Sequence, residues 1–123
     1  MPITNILVVD DSPTDRAYLS DLLAKNGFKV STAESAEDCM AKVKQLRPDL
    51  VLMDVIMPGQ NGFQATRALS KDESTKDIPV IICTSKGQET DKVWGMRQGA
   101  KAYVTKPIKE EELVKALQEF LPG

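Results

Sequence analysis

The chain has 123 residues, 41% hydrophobic and 28% charged, with 16 Lys+Arg against 18 Asp+Glu for a formal net charge of −2. That length suits one domain, and the balance is that of a folded globular protein rather than a disordered chain. The small negative charge excludes bulk electrostatic attraction to nucleic acid or anionic lipid, and no apolar run approaches the roughly 20 residues that a membrane-spanning helix needs. There is no histidine, which excludes histidine catalysis, a histidine metal ligand and a phosphohistidine on these residues. Two cysteines, Cys39 and Cys83, are too few for a disulfide scaffold and read as buried thiols of a cytoplasmic protein. The opening Met1-Pro2-Ile3-Thr4-Asn5 has no basic segment and no signal-peptide pattern.

In chain order, Ile6-Leu7-Val8-Val9 is the first strand, a continuous apolar run of the kind buried on both faces. Ser12-Pro13-Thr14-Asp15 then opens a helix: Ser12 caps, Pro13 suits the first helical position, and Asp15 completes a box-like pattern. Tyr18, Leu19, Leu22 and Leu23 form its apolar stripe, and Gly27 ends it. Phe28 to Ala33 alternates apolar and polar residues, so it reads as an edge strand. A second helix starts at Ser35, with Asp38 three residues on, buries Cys39, Met40, Val43 and Leu46, and stops before Pro48.

Leu50-Val51-Leu52-Met53 is the third strand, and a helix over Gly62 to Ser70 follows it, then a polar loop from Lys71 to Asp77. Val80-Ile81-Ile82-Cys83 is the fourth strand, with a helix from Glu89 to Gln98 that ends at Gly99. Ala102-Tyr103-Val104 is the fifth strand, and the last helix places Leu113, Ala116, Leu117, Phe120 and Leu121 on one face. Strands alternating with helices imply an α/β fold: a parallel sheet with right-handed crossovers and helices on both sides. No repeat or linker interrupts the pattern, so one domain over residues 1–123, without an output domain, is expected.

Ligands of open α/β sheets bind beyond the carboxyl ends of the strands. The first strand runs into Asp10-Asp11, the third into Asp54, the fourth into Thr84-Ser85 and the fifth into Thr105-Lys106-Pro107. Taken singly, each has an ordinary explanation. Asp10-Asp11 suits a helix cap, Asp54 a turn, Thr84 a strand end and Lys106 a solvated loop. Their joint arrival at one edge is what needs a reason. Clustered carboxylates repel and take up protons unless a cation joins them. Hard oxygen donors suit Mg²⁺. A carboxylate beside such an ion and an ammonium can attack phosphorus, while both cations neutralise charge on the transferring oxygens.

These residues resemble the signature of two-component response-regulator receiver domains. The resemblance rests on Ile6 to Ser12, Leu50 to Gly59, Thr84-Ser85 and Lys106-Pro107, and it extends over nearly the whole chain. It implies a flavodoxin-like (βα)5 doubly wound sheet with strand order 2-1-3-4-5. It implies Asp54 as phosphoacceptor, Mg²⁺ held by Asp10, Asp11, Asp54 and the backbone carbonyl of Ile56, and Lys106 paired with the phosphoryl oxygens. Thr84 is the implied switch hydroxyl, Tyr103 the switch aromatic, and the Lys106–Pro107 bond is implied to be cis. The readout surface would be formed by the fourth helix, fifth strand and fifth helix, where Trp94 and Tyr103 mark a partner face. Trp94 also reads as a large side chain that merely covers the sheet.

Two further stretches, Pro58 to Arg67 and Gln88 to Gly95, are similar to single-domain regulators of type IV pilus twitching motility. That narrower resemblance implies a CheA-like histidine kinase as phosphodonor and a downstream motility protein as reader, in a cytoplasmic monomer. A phosphate sink for the kinase is the alternative role. Better-known chemotaxis regulators carry polar or acidic residues where this chain has Ile56 and Lys86, so Ile56 is expected to shield the acyl phosphate from water. A phosphatase of the haloacid-dehalogenase type uses a second Asp two residues after its nucleophile, where Ile56 stands here. A nucleotide- or flavin-binding domain would need the G-x-G-x-x-G or P-loop pattern, and neither occurs.

Overall fold

The computed structural model describes residues 4–120. Five strands alternate with five helices: β1 (Asn5–Val9), α1 (Pro13–Lys25), β2 (Lys29–Ala33), α2 (Ala36–Leu46), β3 (Leu50–Met53), α3 (Gly62–Lys71), β4 (Val80–Thr84), α4 (Glu89–Arg97), β5 (Ala102–Thr105) and α5 (Glu110–Gln118). All strands are parallel, in the order β2-β1-β3-β4-β5. This is the doubly wound, flavodoxin-like arrangement that the resemblance implies. The expected contact of Leu121 lies outside the described residues.

The period of two along each strand divides the core into layers. Ile6, Val8, Leu50, Leu52 and Ile81 face α1 and α5, where they meet Leu19, Leu23, Leu113 and Leu117. Leu7, Val9, Val51, Met53 and Val80 face the other side and pack on Cys39 and Val43 of α2 and on Ala65 and Leu69 of α3. A smaller cluster joins Val55, Phe63, Ile82, Ala100 and Tyr103. The central strands are buried apart from Asn5 at the start of β1, whereas β2 alternates between exposed and half-buried residues up to the buried Ala33 at its end, as an edge strand should.

Local structure departs from the sequence reading in three places. The Ser12 hydroxyl accepts from the Asp15 amide as a cap, but the Asp15 carboxylate does not close a box. It reaches Lys106 instead. Tyr18 is not part of the apolar stripe: its ring is about half exposed, and its hydroxyl donates to the Ile108 carbonyl at 2.7 Å. Leu46 is also exposed, because α2 ends there and Arg47 takes a left-handed conformation at φ 52°.

Candidate functional site

The site grows out of the sheet's own hydrogen bonding. One residue past the strand ends, the ladder continues: the Asp10 amide donates to Ala33 O at 3.0 Å, the Asp54 amide to Val9 O at 2.9 Å and the Lys106 amide to Thr84 O at 2.8 Å. Three site residues thus have their backbones fixed by adjacent strands, which is the rigid support a reacting constellation needs. Asp10, Asp54 and Thr84 are buried, whereas Asp11 is exposed at the rim. The Lys106–Pro107 bond is cis.

Each carboxylate has a distinct set of partners. Asp10 Oδ1 accepts the Ser12 amide at 2.9 Å, and its carbonyl accepts from the Arg16 guanidinium at 2.6 Å. Asp54 Oδ1 accepts the Val55 amide at 2.8 Å and, more loosely, the Ile56 amide at 3.4 Å. Lys106 Nζ lies 2.7 Å from Asp10 Oδ2, 2.8 Å from Asp15 Oδ2 and 3.5 Å from Asp54 Oδ2. Its three N–H groups therefore point at three different carboxylates.

Electrostatics follow from this crowding. Burial, then the charge of Asp10, push the Asp54 carboxyl above its ordinary value, against the opposing pull of Lys106. Burial alone would make the Lys106 ammonium more acidic, but hydrogen bonds to Asp10 and Asp15 and the charge of Asp54 reverse that, so it stays firmly protonated. One ammonium thus faces several carboxylates and does not satisfy Asp54. Asp10, Asp11 and Asp54 each offer a carboxylate oxygen, all within 4.8 Å of one another. That all-oxygen set fits a hard divalent cation such as Mg²⁺, which usually keeps several waters and takes few protein ligands.

The remaining expected residues surround this centre. The Thr84 hydroxyl favours the ionised form of Asp54. The Tyr103 ring packs with Ile82 and Phe63, and its hydroxyl donates to the Lys86 carbonyl at 2.5 Å. Burial, then Asp91 and Asp54, raise its phenol to about 12. Ile56 is 55% exposed and Trp94 50% exposed. Both line a shallow groove of about 600 Å³ with Met57, Phe63, Lys86 and Asp91. Val93 and Met96 are similarly exposed on α4. Asp15 is the site residue that sequence reasoning missed. Its sequence position in the first turn of α1 marks it only as an ordinary helix-start acid.

Residues 6–118 match the response regulator receiver domain family, and the chain belongs to that family. It is 55% identical over 121 residues to protein PilH of Pseudomonas aeruginosa, covering 98% of this chain and 100% of that protein. It is 39% identical to the phosphate regulon transcriptional regulatory protein PhoB of the same organism, over 94% of this chain but 51% of that longer protein. Among solved structures, the chemotaxis protein CheY4 of Vibrio cholerae superposes with a TM-score of 0.89 at 32% identity, covering 97% of this chain and 99% of that one. As a receiver domain it is a signalling module that accepts a phosphoryl group from a histidine kinase. No helix among the described residues is long and apolar enough to cross a membrane.

Proposed function

We propose that Asp54 is the phosphoacceptor, with Lys106, Asp10 and Asp11 as its working partners. The observation that carries this is the placement of a buried carboxylate at the end of a central strand, short of charge compensation and 3.5 Å from a lysine ammonium. In the transfer, a carboxylate oxygen of Asp54 bonds to phosphorus while the bond from phosphorus to the donor's leaving group breaks. The donor departs with that electron pair. Mg²⁺, held by Asp10, Asp11, Asp54 and the Ile56 carbonyl, would neutralise charge on the transferring oxygens. The chain's own residues do the rest: Lys106 pairs with a phosphoryl oxygen, and the buried Thr84 hydroxyl donates to another. Hydrolysis of the acyl phosphate by water resets the domain, so its only chemistry acts on itself.

The readout follows from added charge. A phosphoryl group brings roughly −1.5 to −2 charge to the site. Thr84 is drawn toward it, space opens beside Tyr103, and the ring turns inward from its bond to Lys86. The surface of α4, β5 and α5, including Trp94, then presents a different face to its reader. This is a two-state element biased by one covalent event.

The similarity to PilH supports a role in type IV pilus twitching motility, and we read the domain as a monomer acting in the cytoplasm. Its donor would be a CheA-like histidine kinase and its reader a motility protein. The test is transfer from such a kinase, first labelled on its own histidine with radioactive ATP. Label should leave the kinase rapidly for the wild-type chain and stay on the kinase when Asp54→Ala is added. Transfer to Asp54→Ala at the wild-type rate would overturn the assignment.

A further inference from the structure

We infer that Asp15 is a positioning residue that restrains phosphoryl transfer, holding Lys106 away from the acceptor and repelling anionic donors. The inference rests on the reading of Asp54 as the phosphoacceptor and deepens it. Lys106 Nζ makes its two short contacts with Asp10 and Asp15, at 2.7 and 2.8 Å, while Asp54 Oδ2 lies 3.5 Å away. The ammonium that must meet the phosphoryl oxygens is therefore held closest by two other carboxylates. Asp10 has further work, since its Oδ1 takes the Ser12 amide and it belongs to the carboxylate trio. Among the described residues, the bond to Lys106 is the only hydrogen bond of the Asp15 side chain.

The local structure holds Asp15 in this position. It lies in the first turn of α1, with its amide on the Ser12 hydroxyl, so its backbone is fixed independently of its carboxylate. Asp15 and Lys106 together line a groove of about 370 Å³ beside Tyr18, Pro107 and Ile108. The Asp15 side chain is 43% exposed, against 16% for Lys106. It thus adds a solvent-facing negative charge next to an acceptor already surrounded by Asp10 and Asp11. The nearby cation of Arg16 is turned toward the Asp10 carbonyl rather than toward Asp15.

Both consequences have the same sign. A phosphoryl group on Asp54 competes with Asp15 for Lys106, and an anionic donor meets the Asp15 charge on approach. A residue that only built the site would act the other way, because its loss would misplace Lys106 and slow transfer. For a pair this exposed the effect is modest: neutralising Asp15 should raise the initial rate about two- to fivefold.

The experiment compares initial rates of phosphorylation by acetyl phosphate and by phosphoramidate, with Mg²⁺ present, read by intact mass. The variants are wild type, Asp15→Asn and Asp15→Glu. Asp15→Asn should be faster with acetyl phosphate, less so with the less anionic phosphoramidate, and the gain should shrink at high salt. Asp15→Glu should stay near the wild-type rate. Equal or slower phosphorylation of Asp15→Asn, in a wild type that is itself modified, would overturn the role of Asp15 alone. A wild type that neither donor modifies would overturn the reading of Asp54, and this inference with it.

Discussion

Gly62 opens α3 directly against the backbone that carries Asp54. A Cβ there would lie 2.0 Å from the Asp54 carbonyl oxygen and 2.8 Å from both its carbonyl carbon and Val55 Cα, where ordinary contact begins at 3.4 Å. The obstructing atoms are main chain, so no side chain can rotate away. In Gly62→Ala, the start of α3 and the end of β3 must separate by about 1 Å or more, in an interior packed like an organic crystal. The separation would also strain the 3.0 Å bond from the Gly62 amide to Val55 O. Overpacking that side chains can relieve costs about 1–3 kcal/mol, so about 3 kcal/mol or more is expected here. That is a large part of the roughly 5–15 kcal/mol that holds such a domain together. Urea unfolding measures it, with an unchanged slope showing that the two-state comparison holds. Gly27→Ala is the control. Its Cβ would meet open space and only the φ of +91° opposes it, for a cost of about 1–2 kcal/mol. A Gly62→Ala variant within about 1 kcal/mol of wild type would refute the steric argument.

Further outcomes follow from the same structure. Without divalent cation, Asp54→Asn should be more stable than wild type in urea unfolding, since burial and then the charge of Asp10 disfavour the ionised carboxyl. Because the folded-state value of Asp54 is raised above 3.8, the difference should be absent below pH 3.8 and grow as pH rises through the folded value. Saturating Mg²⁺ should stabilise wild type, by about 2.7 kcal/mol at one hundred times its Kd, and stabilise Asp54→Asn less, as paired thermal melts would show. Asp49 has the opposite sign: amides of Asn5 and Thr4 hold it below 3.8, so its contribution is present above pH 3.8 and lost as pH falls through the folded value. Asp49→Ala should cost about 1 kcal/mol at neutral pH in urea unfolding. Burial raises the Cys39 and Cys83 thiols to about 12, so a thiol reagent should label neither in the native protein at pH 8 and both in urea. If Ile56 excludes water, Ile56→Asn should shorten the phosphoryl lifetime severalfold, and an unchanged lifetime would exclude that role.

The parts of the site that lie on strand ends were legible in the sequence. Buried parallel strands appear as continuous apolar runs, and the residue that ends each run is identified with little ambiguity. Asp10, Asp54, Thr84 and Lys106 were located this way, and the register of the sheet then brings them together. What stayed hidden depends on three-dimensional approach. Asp15 has the sequence features of an ordinary first-turn acid, and its bond to Lys106 spans 91 residues. Nothing local marks Gly62 as a contact with the Asp54 peptide. Tyr18 falls on the helical stripe by periodicity, yet its hydroxyl draws it toward the Ile108 carbonyl at the surface. Trp94 has two readings in the sequence, a cover for the sheet and a partner anchor, and it lies half-exposed on α4.

The central claim, that Asp54 takes the phosphoryl group, is most directly tested by incubating the chain with acetyl phosphate and Mg²⁺ and recording intact mass. The account predicts a single phosphoryl increment in wild type, none in Asp54→Ala, and loss of the wild-type increment on standing as the acyl phosphate hydrolyses. An increment of equal extent in Asp54→Ala, or none in wild type under conditions that modify a control receiver domain, would contradict it.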